Sequence, residues 1–240
     1  MSRAGWAPGV WQAACLRRFC AAWLLACGAA LLASGCAPMI PVVQGMLINA
    51  APDLLASSFG DYSTRSEFKD AVPFIKARDW LGLSVLARQK LDREPNRGEW
   101  WQLAGYAHMQ LGETTVARDC FERVTRLMPE EVGGWNLLAY TLKKMGDANG
   151  ARVEVEHAIQ IDPSSGTAFV ILGELHREGG RSQLALQAYK RAIEINRTDV
   201  YAWYGLGLLG KRGRDGDLYE RAKSNLQQLN PAMAEQLEKA

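Results

Sequence analysis

Reactive side chains are scarce beyond position 36: one cysteine, Cys120, and three histidines, His108, His157 and His176. These are the groups that could serve as a thiolate nucleophile, a general base or metal ligands. A metal ion needs its ligands about 2.0–2.3 Å away, so shared ligation demands that the histidines meet in space. None of the four lies in a GxSxG, HExxH or phosphate-loop motif. The glycine-rich run GLGLLGKRGRDG at 205–216 lacks the lysine-then-Ser/Thr ending that a phosphate loop uses to reach phosphates and Mg²⁺. Cys120 neighbours Phe121, an apolar place, and reads as a half-buried helix cysteine rather than a nucleophile. No cofactor and no metal is expected, and the chain reads as a non-enzyme.

The elements that carry these residues follow from a period. Trp101, Trp135, Phe169 and Trp203 recur at one constant interval, every thirty-fourth place. A small residue follows four places on (Gly105, Ala139, Gly173, Gly207), and a glycine at eleven (Gly112, Gly146, Gly180). Alanine follows at sixteen (Ala117, Ala151, Ala185), a bulky side chain at twenty (Phe121, Val155, Tyr189) and proline at twenty-eight (Pro129, Pro163, Pro231). Within the second unit, Trp135, Leu138, Ala139 and Leu142 make one helical stripe, and Ala151, Val155, Ala158 and Ile159 make another. Met145-Gly146-Asp147 breaks the chain between them, and Asp162-Pro163 ends the second helix.

This order of residues resembles the tetratricopeptide repeat (TPR), a helix–turn–helix unit that stacks into an all-α solenoid. The units are 98–131, 132–165, 166–199 and 200–233, with a tail at 234–240. The fourth carries Arg214 for the turn glycine, Tyr219 for alanine and Lys223 for the bulky residue, as a terminal unit facing water does. The third has Arg197 in place of proline. Residues 232–240 have room for one or two capping turns. Upstream, 64–97 reads as a degenerate unit or helical N-cap: Pro95 is in phase with Pro129, and Trp80, Leu83, Leu86, Ala87 and Leu91 form a stripe behind Asp79, a plausible N-cap. His108 and His176 occupy the same place two units apart, with helix pairs between them, and so cannot share a metal. His157 falls on an outward place of a second helix.

The TPR resemblance also implies a binding surface. In such repeats ligands meet the places one and five after the opening aromatic on the concave face. Here these are Gln102 and Tyr106, Asn136 and Tyr140, Val170 and Glu174, Tyr204 and Leu208. Lys143, Lys144, Arg177, Lys211 and Arg212 lie farther along the same helices as a basic edge. Tyrosine offers contact area with a hydroxyl at low entropy cost, so Tyr106 and Tyr140 are expected to project, mostly exposed, into a groove that takes a protein or peptide. The basic–amide clamp of chaperone-binding TPR domains is met only at Asn136, which disfavours a C-terminal carboxylate as ligand.

Residues 1–63 read as an address and a tether. No charge occurs between Arg18 and Asp53, and Phe19–Ala33 is an apolar run of signal-peptide length, short of the ~20 residues of a membrane span. It ends in LLASGC, which resembles the bacterial lipobox; the place three before the cysteine is Ala33 where leucine is usual. By that resemblance residues 1–35 are a lipoprotein signal peptide, Cys36 is lipidated, and 36–63 is a tether. Ala37 after the cysteine implies sorting to the outer membrane of a Gram-negative bacterium, on its periplasmic face. A plain signal peptide and an uncleaved N-terminal anchor are the other readings. Loss of 1–35 removes Arg3, Arg17 and Arg18 from 28 Lys+Arg, leaving 25 against 26 Asp+Glu, a formal charge of −1. That balance gives no footprint for nucleic acid. Lipobox and tandem TPRs together resemble the lipoproteins of Flp/Tad and type IV pilus assembly, and imply a scaffold for a pilus or secretion machine. A scaffold recruiting peptidoglycan hydrolases or outer-membrane assembly factors is the alternative.

Overall fold

The computed structural model describes residues 68–240. Cys36, the leader and the tether lie outside the described residues. Eleven α-helices run through the described residues: α1 Val72–Ala77, α2 Trp80–Leu91, α3 Gly98–Gln110, α4 Thr114–Leu127, α5 Val132–Lys144, α6 Ala148–Ile161, α7 Gly166–Glu178, α8 Ser182–Ile195, α9 Val200–Gly213, α10 Gly216–Leu229 and α11 Pro231–Lys239. The fold is an all-α TPR solenoid of antiparallel helix pairs, α3/α4 through α9/α10. Each pair closes on itself and on the next, since one amphipathic pair cannot bury its stripes alone. First helices also touch one another, α5 with α7 and α7 with α9. Second helices reach the following unit through its first helix, as α4 does α5 and α6 does α7. The first helices therefore stand closer together and line the inner side of the stack.

The repeat period is written in the backbone. Positive φ angles fall at Arg78 (53°), Gly112 (80°), Gly146 (86°), Gly180 (74°) and Arg214 (57°), each one period after the last. This left-handed residue turns the chain from the first helix into the second. A side chain at Gly112, Gly146 or Gly180 would meet no neighbour, so glycine serves the turn's conformation rather than close packing. At both ends of the stack arginine accepts the same conformation. Asp79 caps α2, its Oδ1 accepting from Gly82 N–H at 2.8 Å, and Asp147 does the same for α6 through Gly150.

The opening tryptophans lock unit to unit. The indole N–H donates to a main-chain carbonyl six places back: Trp101 to Pro95 (2.7 Å), Trp135 to Pro129 (2.8 Å) and Trp203 to Arg197 (2.9 Å). The acceptor is a carbonyl, which every residue has, so Arg197 stands in for proline without loss of the bond. Phe169, with no N–H, cannot make it.

Small residues on first helices receive large ones from second helices. A Cβ on Gly105 would lie 2.6 Å from the Phe121 ring, and one on Gly173 would lie 2.6 Å from the Tyr189 ring. Tyr189 is fully buried and also fills the space beside Gly205 of α9, where a Cβ would run into the ring. In the fourth unit, where Lys223 replaces the bulky residue, Gly207 faces Leu237 of α11. The C-terminal segment is a full helix, α11, longer than the one or two turns expected. It buries Met233, Ala234 and Leu237 and packs on α9 and α10. Its Pro231 takes the first turn, where a missing N–H costs nothing. At the other end, Phe68 is buried against Trp100, ring centroids 5.0 Å apart, and with Leu83 and Leu103 forms a core for the degenerate unit.

Candidate functional site

The inner face is built by α3, α5, α7 and α9, and the groove positions expected from sequence divide into two sets. Gln102, Tyr106, Asn136, Tyr140 and Val170 are buried, at 2, 7, 3, 4 and 0% exposure. Glu174, Tyr204, Lys143 and Arg177 are half-buried and reach solvent. The expectation that Tyr106 and Tyr140 project mostly exposed is therefore corrected. Tyr106 packs edge-on against Trp80 of α2, centroids 5.4 Å apart and planes at 86°. The ring of Tyr140 lies beneath the ammonium groups of Lys143 and Lys144, at 5.4 and 5.5 Å. Tyr106 is thus covered by the second helix of the preceding unit, and Tyr140 by lysines one turn along its own helix.

Lys143 ties α5 to α7. Its ammonium pairs with Glu174 and stands 3.5 Å from Glu178. Burial pulls the Lys143 pKa down, but Glu174 and Glu178 pull it up more strongly, and the net shift is upward. Lys144, with burial and Lys143 both against its charge, shifts downward. Arg177 pairs with Glu178 at 3.4 Å. Burial raises the Tyr204 hydroxyl, so it remains a neutral donor and acceptor. Of the basic edge, Lys211 is engaged, donating to the carbonyls of Leu237 (3.3 Å) and Glu238 (2.8 Å) at the end of α11.

The potential reactive groups are scattered. His108 Nδ1 meets Glu113 Oε2 at 2.5 Å in the turn between α3 and α4. His157 rests against the Trp135 ring, 4.1 Å between centroids. His176 is shifted downward, by burial first and then by Arg181 and Arg152. Burial pushes the Cys120 thiol up to about 11, which leaves little thiolate near neutrality. Among the described residues no group of three or more His, Cys, Asp or Glu could hold a metal ion.

The inner-face positions alone do not reveal a cleft of about 440 Å³ at the starts of α5 and α7, lined by Glu130, Glu131, Asn136, Asp162, Ser165 and their neighbours. Its signal lies in the between-unit turns PEEVGG and DPSSGT, where Glu131 and Ser165 hold the same place in successive units. The arrangement as a whole offers carboxylates, amides, a phenol and paired cations, which suit recognition of a polypeptide.

Comparison with known proteins agrees with this geometry. Residues 99–131 and 132–165 match a tetratricopeptide repeat model, and 173–211 match a TPR repeat model. The chain thus carries the repeats of a class of scaffolds that mediate protein–protein interaction. No curated protein matches it. Among solved structures it is similar to TTC0263, a thermophilic TPR protein of Thermus thermophilus, with a TM-score of 0.63 and 14% identity, covering 72% of this chain and 95% of that one. It is similar to MamA of Desulfovibrio magneticus RS-1, residues 41 to the end, with a TM-score of 0.58 and 17% identity over 72% and 98% of the two chains. It is also similar to YrrB, described as a TPR protein with an unusual peptide-binding site, with a TM-score of 0.53 and 14% identity over 80% and 98%. At these identities the likeness is one of fold.

Proposed function

We propose that this chain is a non-enzymatic interaction scaffold, held by lipid on Cys36 at the periplasmic face of the outer membrane, where it supports assembly of a pilus or secretion machine. The observation that carries the scaffold reading is the inner face: Lys143, Glu174, Arg177 and Tyr204 reach solvent on a stack of first helices, with Lys143 paired to Glu174 and Arg177 to Glu178. The peptide-binding site described for the similar YrrB supports the same use of the fold. LLASGC, ending at Cys36, supports the tether.

Affinity purification of the full chain from solubilised outer membrane tests the function, with a Glu174→Gln, Tyr204→Ala variant as control. Secretin or pilus components should co-purify with the native chain and be depleted with the variant. Recovery of cell-wall hydrolases instead would reassign the machine, and recovery of no envelope protein would overturn the scaffold reading. In parallel, Cys36→Ala should leave the outer-membrane fraction and lose palmitate labelling; a variant that keeps both removes the lipid tether.

A further inference from the structure

Helices alternate in direction along the stack, so the turns inside units lie at one edge and the joints between units at the other. The two edges differ in charge. Residues 75–82 and their equivalents at 109–116, 143–150, 177–184 and 211–218 make the turn edge, with nine Lys or Arg against six Asp or Glu, a balance of +3. Half a period on, residues 92–99, 126–133, 160–167, 194–201 and 228–235 make the joint edge, with four against nine, a balance of −5. The edges also differ in apolar character. Among the described residues eight large apolar side chains are exposed, and five of them belong to the turn edge: Leu81, Leu111, Val116, Met145 and Leu184, between 38 and 65% exposed. Of the eight, the joint edge holds Leu229.

The turn edge's acids are mostly committed. Asp79, Asp147 and Asp215 cap second helices, Glu113 meets His108, and Glu178 faces Lys143. Its cations are mostly not: Lys76, Arg78, Lys144, Arg181, Arg212 and Arg214 are exposed, and none makes an ion pair among the described residues. The helix dipole favours cations in a last turn, which accounts for Lys76, Lys144 and Arg212. It does not account for Arg181, which stands at the start of α8 where the dipole favours an acid, nor for the apolar tips. A protein partner is held by anchors gathered in a desolvated pocket. Here the apolar tips come one or two to a unit with cations between them, and the 440 Å³ cleft belongs to the joint edge. Cations interleaved with apolar tips match the boundary between headgroups and acyl chains of an anionic bilayer.

We propose that the turn edge rests on an anionic phospholipid surface, its exposed cations facing the phosphates and its five apolar tips entering the headgroup region. The proposal rests on the lipid-tether reading for the bilayer within reach, and goes beyond it by giving the stack an orientation. The acidic joint edge is turned away from the membrane, and the inner face stays open along its flank to a polypeptide.

Methyl NMR on the full chain with lipid nanodiscs tests it, using phosphatidylcholine discs with and without phosphatidylglycerol and a trace of gadolinium-chelate lipid as the relaxation probe. In the anionic discs the methyls of Leu111, Val116, Met145 and Leu184 should relax several-fold faster than those of Ile195 and Leu229 at the joint edge. The contrast should fade with salt and in neutral discs. The Lys76→Gln, Arg181→Gln, Arg212→Gln variant, altered at exposed sites, should melt as the native chain does and lose the contrast. Leu81→Ser with Leu184→Ser should weaken it at Leu111, Val116 and Met145. Equal enhancement at both edges, stronger enhancement at Leu229, or an undiminished contrast in the triple variant would each overturn the proposal. So would shifts of the turn-edge methyls on adding a glutamate-rich peptide with no enhancement from anionic discs, which would give the edge to a protein. Release of the chain from neutral discs at high salt bears on the Cys36 tether alone, because the contrast between edges needs only contact with anionic discs.

Discussion

The third and fourth units face the same packing problem and answer it with different parts of the chain. In the third, the hollow at Gly173 is filled by Tyr189 from the unit's own second helix, and the same ring extends to Gly205 of the next unit. In the fourth, the second helix offers Lys223, and the hollow at Gly207 is filled by Leu237 from α11. Lys223 turns instead to Glu238 on that helix, at 2.5 Å. An inner unit must be apolar on both sides, because a neighbour covers each. A terminal unit can surrender its own bulky side chain to water once a capping helix lends one. The repeat therefore requires a filled hollow, and not a particular donor of the filling.

The difference between the two units should be felt most severely at Tyr189. Tyr189→Ala should empty the space beside two glycines and cost about 4 kcal/mol, seen as a much lower midpoint in urea denaturation. Leu237→Ala should cost about 3 kcal/mol by the same measurement; an unchanged midpoint would mean that α11 does not substitute for the missing residue. Gly173→Leu, which drives a side chain into the Tyr189 ring, should cost about 2–3 kcal/mol and lower the thermal midpoint by circular dichroism. Trp203→Phe should remove the indole bond to Arg197 at a cost of about 1 kcal/mol, whereas Phe169→Trp, by adding the missing bond, should not destabilise. The smallest effect distinguishes the turns: Arg214→Gly should stabilise by about 0.5–1 kcal/mol, since glycine adopts positive φ without strain, and Gly180→Ala should destabilise by a similar amount. Thermal melts of the pair decide it, and equal shifts in the same direction would contradict the assignment of Arg214 as an end-of-stack compromise.

Much of this was legible in the sequence because the repeat is local. The aromatic at Trp135, the glycine at Gly146 and the proline at Pro163 each act within one helix pair, and periodicity displays them directly. The degenerate unit was legible for the same reason, through Trp80 and Asp79, although the arginine in its turn gives no glycine signal. What lies between units was harder to read. Spacing places Tyr106 and Tyr140 on the inner side of their helices, but says nothing of how closely Trp80 or the lysines above them approach, and both rings are covered. Likewise Leu237 lies outside the repeat frame, so its role in filling the fourth hollow appears only when α11 is seen against α9. Double truncation of Tyr106 and Tyr140, expected from exposure to be mild, should instead be strongly destabilising.

The indole bonds make the stack report on itself. Each of Trp101, Trp135 and Trp203 holds its ring N–H against a carbonyl of the preceding turn. Its proton resonance is therefore a gauge of one joint, shifting and exchanging with solvent when that joint opens. The joint that Phe169 makes is dark to such a probe. Fraying from either end could be followed joint by joint without any introduced label, with one blind spot between the second and third units.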